Sequence, residues 1–151
     1  DAFARATLWL CEALRLIGTA NLAQETTNVA TILLAEDNAA IRLSVRETLT
    51  RLGHDVVEAV NGVDAVRFYK VSVPDCVLMD VGMPTMDGLT AFREILRYDP
   101  HARVAMFTAY GMDSIVEQAK DLGAIDFIVK PFVRRRLVAG VDRMLAAPAA
   151  A

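Results

Sequence analysis

Apolar residues along this chain recur with two periods, and the alternation between them predicts alternating strands and helices. From Val29 onward, short apolar or β-branched runs fall at Thr31–Ala35, Asp55–Ala59, Asp75–Met79, Arg103–Phe107 and Ala124–Val129. Three of these are almost wholly apolar, as expected of strands covered by helices on both faces. Between them the apolar positions follow helical spacing. Ile41, Val45, Leu49 and Leu52 form one stripe, stopped by Gly53; Asn61-Gly62 opens a second helix through Val66 and Tyr69. Leu89, Phe92, Ile95 and Leu96 mark a third, stopped by Pro100. Asp113 is placed to cap a fourth, which carries Ile115, Val116, Ala119 and Leu122 and ends at Gly123. Leu137, Val138, Val141, Met144 and Leu145 give the fifth.

Five strand-then-helix repeats predict an α/β fold, a flavodoxin-like doubly wound parallel sheet of five strands in the order 2-1-3-4-5 with five helices. This unit is expected over residues 29–147, followed by a short tail at 148–151. Residues 1–28 stand outside the pattern. There Phe3, Ala6, Leu10, Ala13, Leu14 and Ile17 share one helical face and Arg5, Glu12 and Arg15 the opposite one. That predicts an extra N-terminal amphipathic helix of about four turns, joined by a polar stretch, Asn21–Asn28. Such a helix is marginal alone in water and must pack on its own domain, a second copy or a partner. Its polar face is not rich in Lys or Arg, which argues against a membrane surface.

Composition narrows the class. At 151 residues, 54% hydrophobic and 23% charged, the chain has the size and balance of one soluble globular domain. A net charge of −3 gives no reason to expect nucleic acid as a direct partner. Cys11 and Cys76 are far apart, which fits a reducing compartment rather than a disulfide framework or zinc site. No apolar run reaches the roughly 18 residues of a membrane span, and no export signal is apparent at the N-terminus. A cytoplasmic protein is expected.

The candidate chemistry lies at strand ends. Asp80 ends the run Cys76-Val77-Leu78-Met79-Asp80, and the pair Glu36-Asp37 ends the first strand in the same way. Thr108 and Lys130 follow the fourth and fifth. Each alone also fits a plain role: a solvated turn or helix cap for the acids, a strand cap for Thr108, a surface lysine for Lys130. Together they fall at the C-terminal edges of different strands, where a doubly wound sheet has its ligand crevice. Three carboxylates brought together repel unless a cation joins them, and hard oxygen donors suit Mg²⁺. One carboxylate could then act as a nucleophile toward phosphorus, with a hydroxyl and a fixed cation facing the phosphoryl oxygens.

The segments Ile32–Asn38, Asn61–Ala65, Val77–Pro84, Asp87-Gly88, Phe107–Ala109 and Gly123–Phe132 occur in an order and spacing that resemble the receiver domain of two-component response regulators. The resemblance runs from about Val29 to Leu145. It implies that Asp80 is the phosphoacceptor, that Asp37 binds Mg²⁺ directly and Glu36 through water, and that the backbone carbonyl of Gly82 is a further ligand. Thr108 would bond the phosphoryl group and follow it inward, Lys130 would pair with it, and Phe127 would be the switch aromatic. The resemblance further implies a cis peptide at Lys130-Pro131. The implied partners are a histidine kinase or phosphotransfer protein and a downstream protein on the face of helix four, strand five and helix five. Arg134, Arg135 and Arg136 would lie on that face, as a solvated charge run or a docking or dimer surface. A homodimer could use this face or the N-terminal helix.

Some positions depart from the family pattern. Glu36 stands where Asp is more usual, Gly82 offers no side chain, Tyr110 is bulky, and the switch aromatic is Phe rather than Tyr. Gly82 and Tyr110 border the path of attacking water and would tune autodephosphorylation. Gly82 also stands where a haloacid-dehalogenase-type phosphatase would carry its second Asp, so the general acid of that enzyme class is missing. A phosphorylation-operated switch is therefore expected rather than an enzyme with a separate substrate. A stand-alone receiver is preferred over the regulatory fragment of a longer regulator.

Overall fold

A computed structural model describes residues 28–147. The amphipathic helix expected before Asn28, Cys11 and the tail from Pro148 lie outside the described residues. The elements alternate as β1 (Thr31–Ala35), α1 (Ala39–Arg51), β2 (Asp55–Ala59), α2 (Gly62–Ser72), β3 (Cys76–Asp80), α3 (Gly88–Tyr98), β4 (Val104–Thr108), α4 (Asp113–Leu122), β5 (Asp126–Val129) and α5 (Arg134–Ala146). All strand pairs are parallel, in the order β2-β1-β3-β4-β5 expected from the repeat pattern.

Successive residues of a strand face opposite sides of the sheet, and this period builds two apolar layers. Leu33, Val77, Met79, Val104 and Met106 meet Tyr69 of α2, Phe92 and Ile95 of α3 and Ala119 of α4. Ile32, Leu34, Cys76, Leu78, Ala105, Phe107 and Ile128 meet Val45 and Leu49 of α1 and Leu137, Val141 and Met144 of α5. Every residue of β3 and β4 is buried. Each large side chain fully removed from water stabilises the fold by roughly 1.5–3 kcal/mol before entropy is charged against it. Among the described residues no helix is long and apolar enough to cross a membrane.

Three helices begin at side-chain caps that accept otherwise unpaired N–H groups. Asn38 accepts from Ala40 and Ile41 at 3.0 and 3.1 Å, Asn61 from Asp64 at 2.7 Å, and Asp87 from Thr90 at 2.8 Å. Asp113 is not the cap expected for α4. The Met112 carbonyl already accepts the first helical bond, from Val116, so Asp113 is the first helical residue. There its charge still complements the helix dipole. β3 and β4 reach one residue further than their apolar runs, because Asp80 pairs with Phe107 and Thr108 with Val129. β5 starts later than expected; the Ala124 N–H bonds back to Ala119, closing the end of α4 after Gly123, whose φ is +95°.

Candidate functional site

The C-terminal edge of the sheet collects the chemistry-bearing residues. Glu36 follows β1, its N–H bonded to the Ala59 carbonyl at 3.0 Å, and its side chain is enclosed. Asp80 ends β3 and is 7% exposed; Asp37 is exposed. Carboxylate oxygens of Glu36, Asp37 and Asp80 lie within 4.8 Å of one another. Lys130 enters from the end of β5, where its N–H donates to the Thr108 carbonyl at 2.7 Å. Its Nζ lies 2.5 Å from Glu36 Oε2 and 3.0 Å from Asp80 Oδ1. The ammonium also rests 5.6 Å above the centre of the Phe107 ring, which Phe132 backs in a stack at 5.1 Å. The peptide between Lys130 and Pro131 is cis.

The electrostatics follow from burial and pairing. Removal from water drives the Glu36 carboxyl above its ordinary range, and the hydrogen bonds from Lys130 and the Asn38 N–H only partly offset this. Burial alone would lower the Lys130 ammonium, but its hydrogen bonds to Glu36 and Asp80 outweigh it and hold the group above its ordinary value. Three carboxylates against one ammonium leave an excess of negative charge beside solvent. The donor set is all oxygen, and no ion pair of Asp37 occurs among the described residues. A hard divalent cation such as Mg²⁺ fits this chemistry.

The remaining predicted residues fall on the loops and strands that lead to this edge. Thr108 is the last residue of β4, 3% exposed, one step beyond the strand partner of Asp80. Gly82 is exposed two residues past Asp80, with open space where a side chain would be. Tyr110 is 89% exposed. Phe127 is half-buried on β5, against the layer formed by α2, α3 and α4.

The arginine run divides. Arg134 and Arg135 are exposed, whereas Arg136 turns inward. Its two terminal nitrogens donate to the buried Asp126 at 2.8 and 2.7 Å, and one donates to the Phe127 carbonyl at 2.7 Å. Reading all three as one surface feature is thus corrected for Arg136: Asp126, opening β5 beneath the first turn of α5, is within reach of that arginine. Burial acts to raise the Asp126 carboxyl, yet the Arg136 hydrogen bonds and the Phe127 N–H hold it below its ordinary range.

Two residues near the acidic loop escaped sequence reasoning. Arg42 of α1 donates to the carbonyls of Glu36 and Asp37, and Glu58 of β2 pairs with that guanidinium. The signal available was an arginine one helical turn after the Asn38 cap, which acquires meaning only once α1 is known to fold back over β1.

Comparison with known proteins places this geometry. Residues 32–142 match the response regulator receiver domain family. The chemotaxis protein CheY of Bacillus subtilis (strain 168) is 44% identical over 115 residues, covering 76% of this chain and 96% of that protein. The crystal structure of NtrX from Brucella abortus superposes with a TM-score of 0.73 at 31% identity, over 78% of this chain and 27% of that one. The CheX-CheY-BeF3-Mg+2 complex from Borrelia burgdorferi superposes equally well, with a TM-score of 0.73 at 31% identity over 78% of this chain and 90% of that one.

Proposed function

This chain belongs to the response regulator receiver domain family of two-component signalling, and from that premise we propose that it is a switch phosphorylated on Asp80. The phosphoryl group comes from a phosphohistidine of a histidine kinase or phosphotransfer protein. An Asp80 carboxylate oxygen forms the new bond to phosphorus as the P–N bond breaks, and the electron pair leaves with the imidazole, which takes up a proton. Lys130, already 3.0 Å from Asp80, stays paired with the charge that develops on the phosphoryl oxygens. Thr108 supplies a hydroxyl at the same strand edge, and its inward movement with Phe127 alters the face of α4, β5 and α5.

Glu36, Asp37, Asp80 and the Gly82 carbonyl would hold Mg²⁺, which when bound offsets the negative charge shared by the carboxylates and the phosphoryl group. The observation that carries the reading is one ammonium, Lys130, bridging Glu36 and Asp80 beside a third carboxylate at the ligand-binding edge of a doubly wound sheet. A cavity of about 450 Å³, lined by Ala40, Ile41, Ser44, Val45, Lys130, Pro131 and Phe132, opens beside that ammonium. The Borrelia burgdorferi CheY bound to CheX with BeF3 and Mg supports a downstream protein partner for this chain as well. The reading concerns the receiver itself, whether it acts alone or as part of a longer regulator. Removal of the phosphoryl group is likewise self-catalysed, so the chain carries a signal rather than turning over a separate substrate.

The test is Asp80→Asn in the full chain. Acetyl phosphate with Mg²⁺ should label the wild-type chain at one phosphoryl per molecule and leave the variant unlabelled. Equal labelling of both would remove Asp80 from this role.

A further inference from the structure

The backbone of the acidic loop is gripped from outside the site by a side chain that the phosphoryl-transfer reading does not use. Arg42 lies in the first turn of α1 and turns its guanidinium back over the end of β1. Its Nη1 donates to the Glu36 carbonyl at 2.9 Å and to the Asp37 carbonyl at 3.3 Å. Its Nε lies 3.3 Å from Glu58 Oε1, and the other Glu58 oxygen accepts from Arg46 Nη1 at 3.0 Å. The Arg42 and Glu58 side chains are 20% and 30% exposed, so this contact is partly shielded from water.

We infer that Arg42, oriented by Glu58, braces the Glu36-Asp37 backbone so that the Asp37 carboxylate is held toward the cation site, which makes both residues positioning residues for divalent-cation binding. The inference rests on the reading of Glu36, Asp37 and Asp80 as the groups that hold the cation. Glu36 is already fixed at its side chain, between Lys130 and the Asn38 N–H. Asp37 is exposed and has no ion pair among the described residues, so its aim depends on its backbone. One guanidinium nitrogen tied to two consecutive carbonyls restricts the torsions on both sides of the Asp37 Cα. The same bonds turn those carbonyls toward α1.

The geometry depends on a planar fork. Arginine presents several N–H groups in fixed directions, and here one edge meets the carbonyls while Nε meets Glu58. A lysine at the same position carries the charge on a single nitrogen and lacks the second one through which the guanidinium meets Glu58 apart from the carbonyls. Glu58 adds the orientation, because it fixes the guanidinium plane from the neighbouring strand. Groups that hold a metal ligand from behind typically change metal affinity by about 10–100-fold when removed.

The experiment uses the full chain with Mg²⁺ alone as probe, followed by titration calorimetry at a temperature where each variant is folded. Wild type, Arg42→Ala, Arg42→Lys, Glu58→Gln and Asp37→Asn are compared, with thermal unfolding in Mg²⁺-free buffer as the second readout. Arg42→Ala and Arg42→Lys should each weaken Mg²⁺ binding about 10-fold, and Glu58→Gln should fall between them and wild type. Full affinity in Arg42→Lys, or a lowered unfolding temperature with unchanged affinity in the Arg42 variants, would make the contact merely structural and overturn the inference. Should Arg42→Ala not fold, unchanged affinity in both Arg42→Lys and Glu58→Gln would overturn it equally. Asp37→Asn separates the two claims: if it binds Mg²⁺ as wild type does, the reading of the cation site fails, and this inference with it.

Discussion

Gly88 lies so close against Asp80 that a Cβ on it would stand 1.9 Å from the Asp80 carbonyl oxygen and 2.8 Å from its carbonyl carbon. The neighbouring Gly88 N–H donates to the Val81 carbonyl at 2.9 Å, so the first turn of α3 is pinned to the end of β3. This contact sets where the Asp80 side chain begins. Gly88→Ala must push either the helix or the strand end away, because the obstacle is backbone and cannot rotate aside. A loss of about 3 kcal/mol of stability is expected, at the upper end of overpacking costs. Urea unfolding measures it, and acetyl-phosphate labelling of the folded fraction should fall as Asp80 is displaced. A variant with unchanged midpoint and labelling would show that the two backbones can separate freely.

Asp37→Asn should move stability in opposite directions with and without Mg²⁺. Three carboxylates share a space within 4.8 Å and face one ammonium, so removing a negative charge relieves repulsion. In Mg²⁺-free buffer of low ionic strength the variant should gain about 1 kcal/mol, a figure already reduced because Asp37 is exposed and screened. With Mg²⁺ at 100 times its dissociation constant, wild type gains about 2.7 kcal/mol by mass action, and the variant should gain far less. Thermal unfolding at both conditions checks the reversal. If Asp37→Asn is the less stable chain in both, like-charge crowding is not the dominant force at this site.

The order of elements and the residues at the strand ends were legible in the sequence because β1, β3 and β4 are nearly uninterrupted apolar runs. Each such run ends where polar residues begin, and that is where a doubly wound sheet binds ligands. The exact strand ends were less legible: Asp80 and Thr108 belong to their strands through backbone pairing, which hydropathy does not register. Side-chain partnerships across the fold were hidden for another reason. Lys130 and Glu36 are 94 residues apart; strand-end position put them on one edge of the sheet before the structure did, but not in direct contact with each other. Arg136 and Asp126 are 10 apart, yet the arginine reads as one of three until α5 is seen to start over β5. Arg42 depends in the same way on the direction α1 takes after the Asn38 cap.

The Asp126–Arg136 pair should leave a signature in the pH dependence of stability. The Asp126 side chain is 6% exposed and accepts from Arg136 twice, from Arg143 at 3.3 Å and from the Phe127 N–H at 2.8 Å. Its carboxyl is held below its ordinary value of 3.8 in the folded chain. A depressed folded value means that the stabilisation is fully present above the unfolded value near 3.8 and is lost as pH falls through the folded one. Asp126→Asn should therefore cost about 2 kcal/mol near neutrality, in the range of hydrogen bonds to charged groups. The gap from wild type should stay constant down to about pH 5 and narrow as pH falls below 4. Urea midpoints across that range test it; a gap that persists undiminished at pH 2 would mean that charge on Asp126 is not what matters.

The lifetime of the phosphoryl group should respond to side chains at Gly82 and Tyr110 without any change in the fold. Nothing lies within 4 Å of a Cβ placed on Gly82, so a larger residue there meets no obstacle. Tyr110 is 89% exposed, so trimming it opens no cavity in the core. Asp80, by contrast, is 7% exposed, so little of it meets water directly. Filling the space at Gly82 with Gly82→Gln should slow hydrolysis, and removing the bulk at the other position with Tyr110→Gly should speed it. A change of about 1 kcal/mol in the barrier corresponds to roughly 5-fold in rate for each. Release of inorganic phosphate after labelling and removal of acetyl phosphate gives the rates directly. Equal rates in wild type and both variants would show that access past these two positions does not limit the reaction, and control would then have to lie with the groups already touching Asp80, above all Lys130.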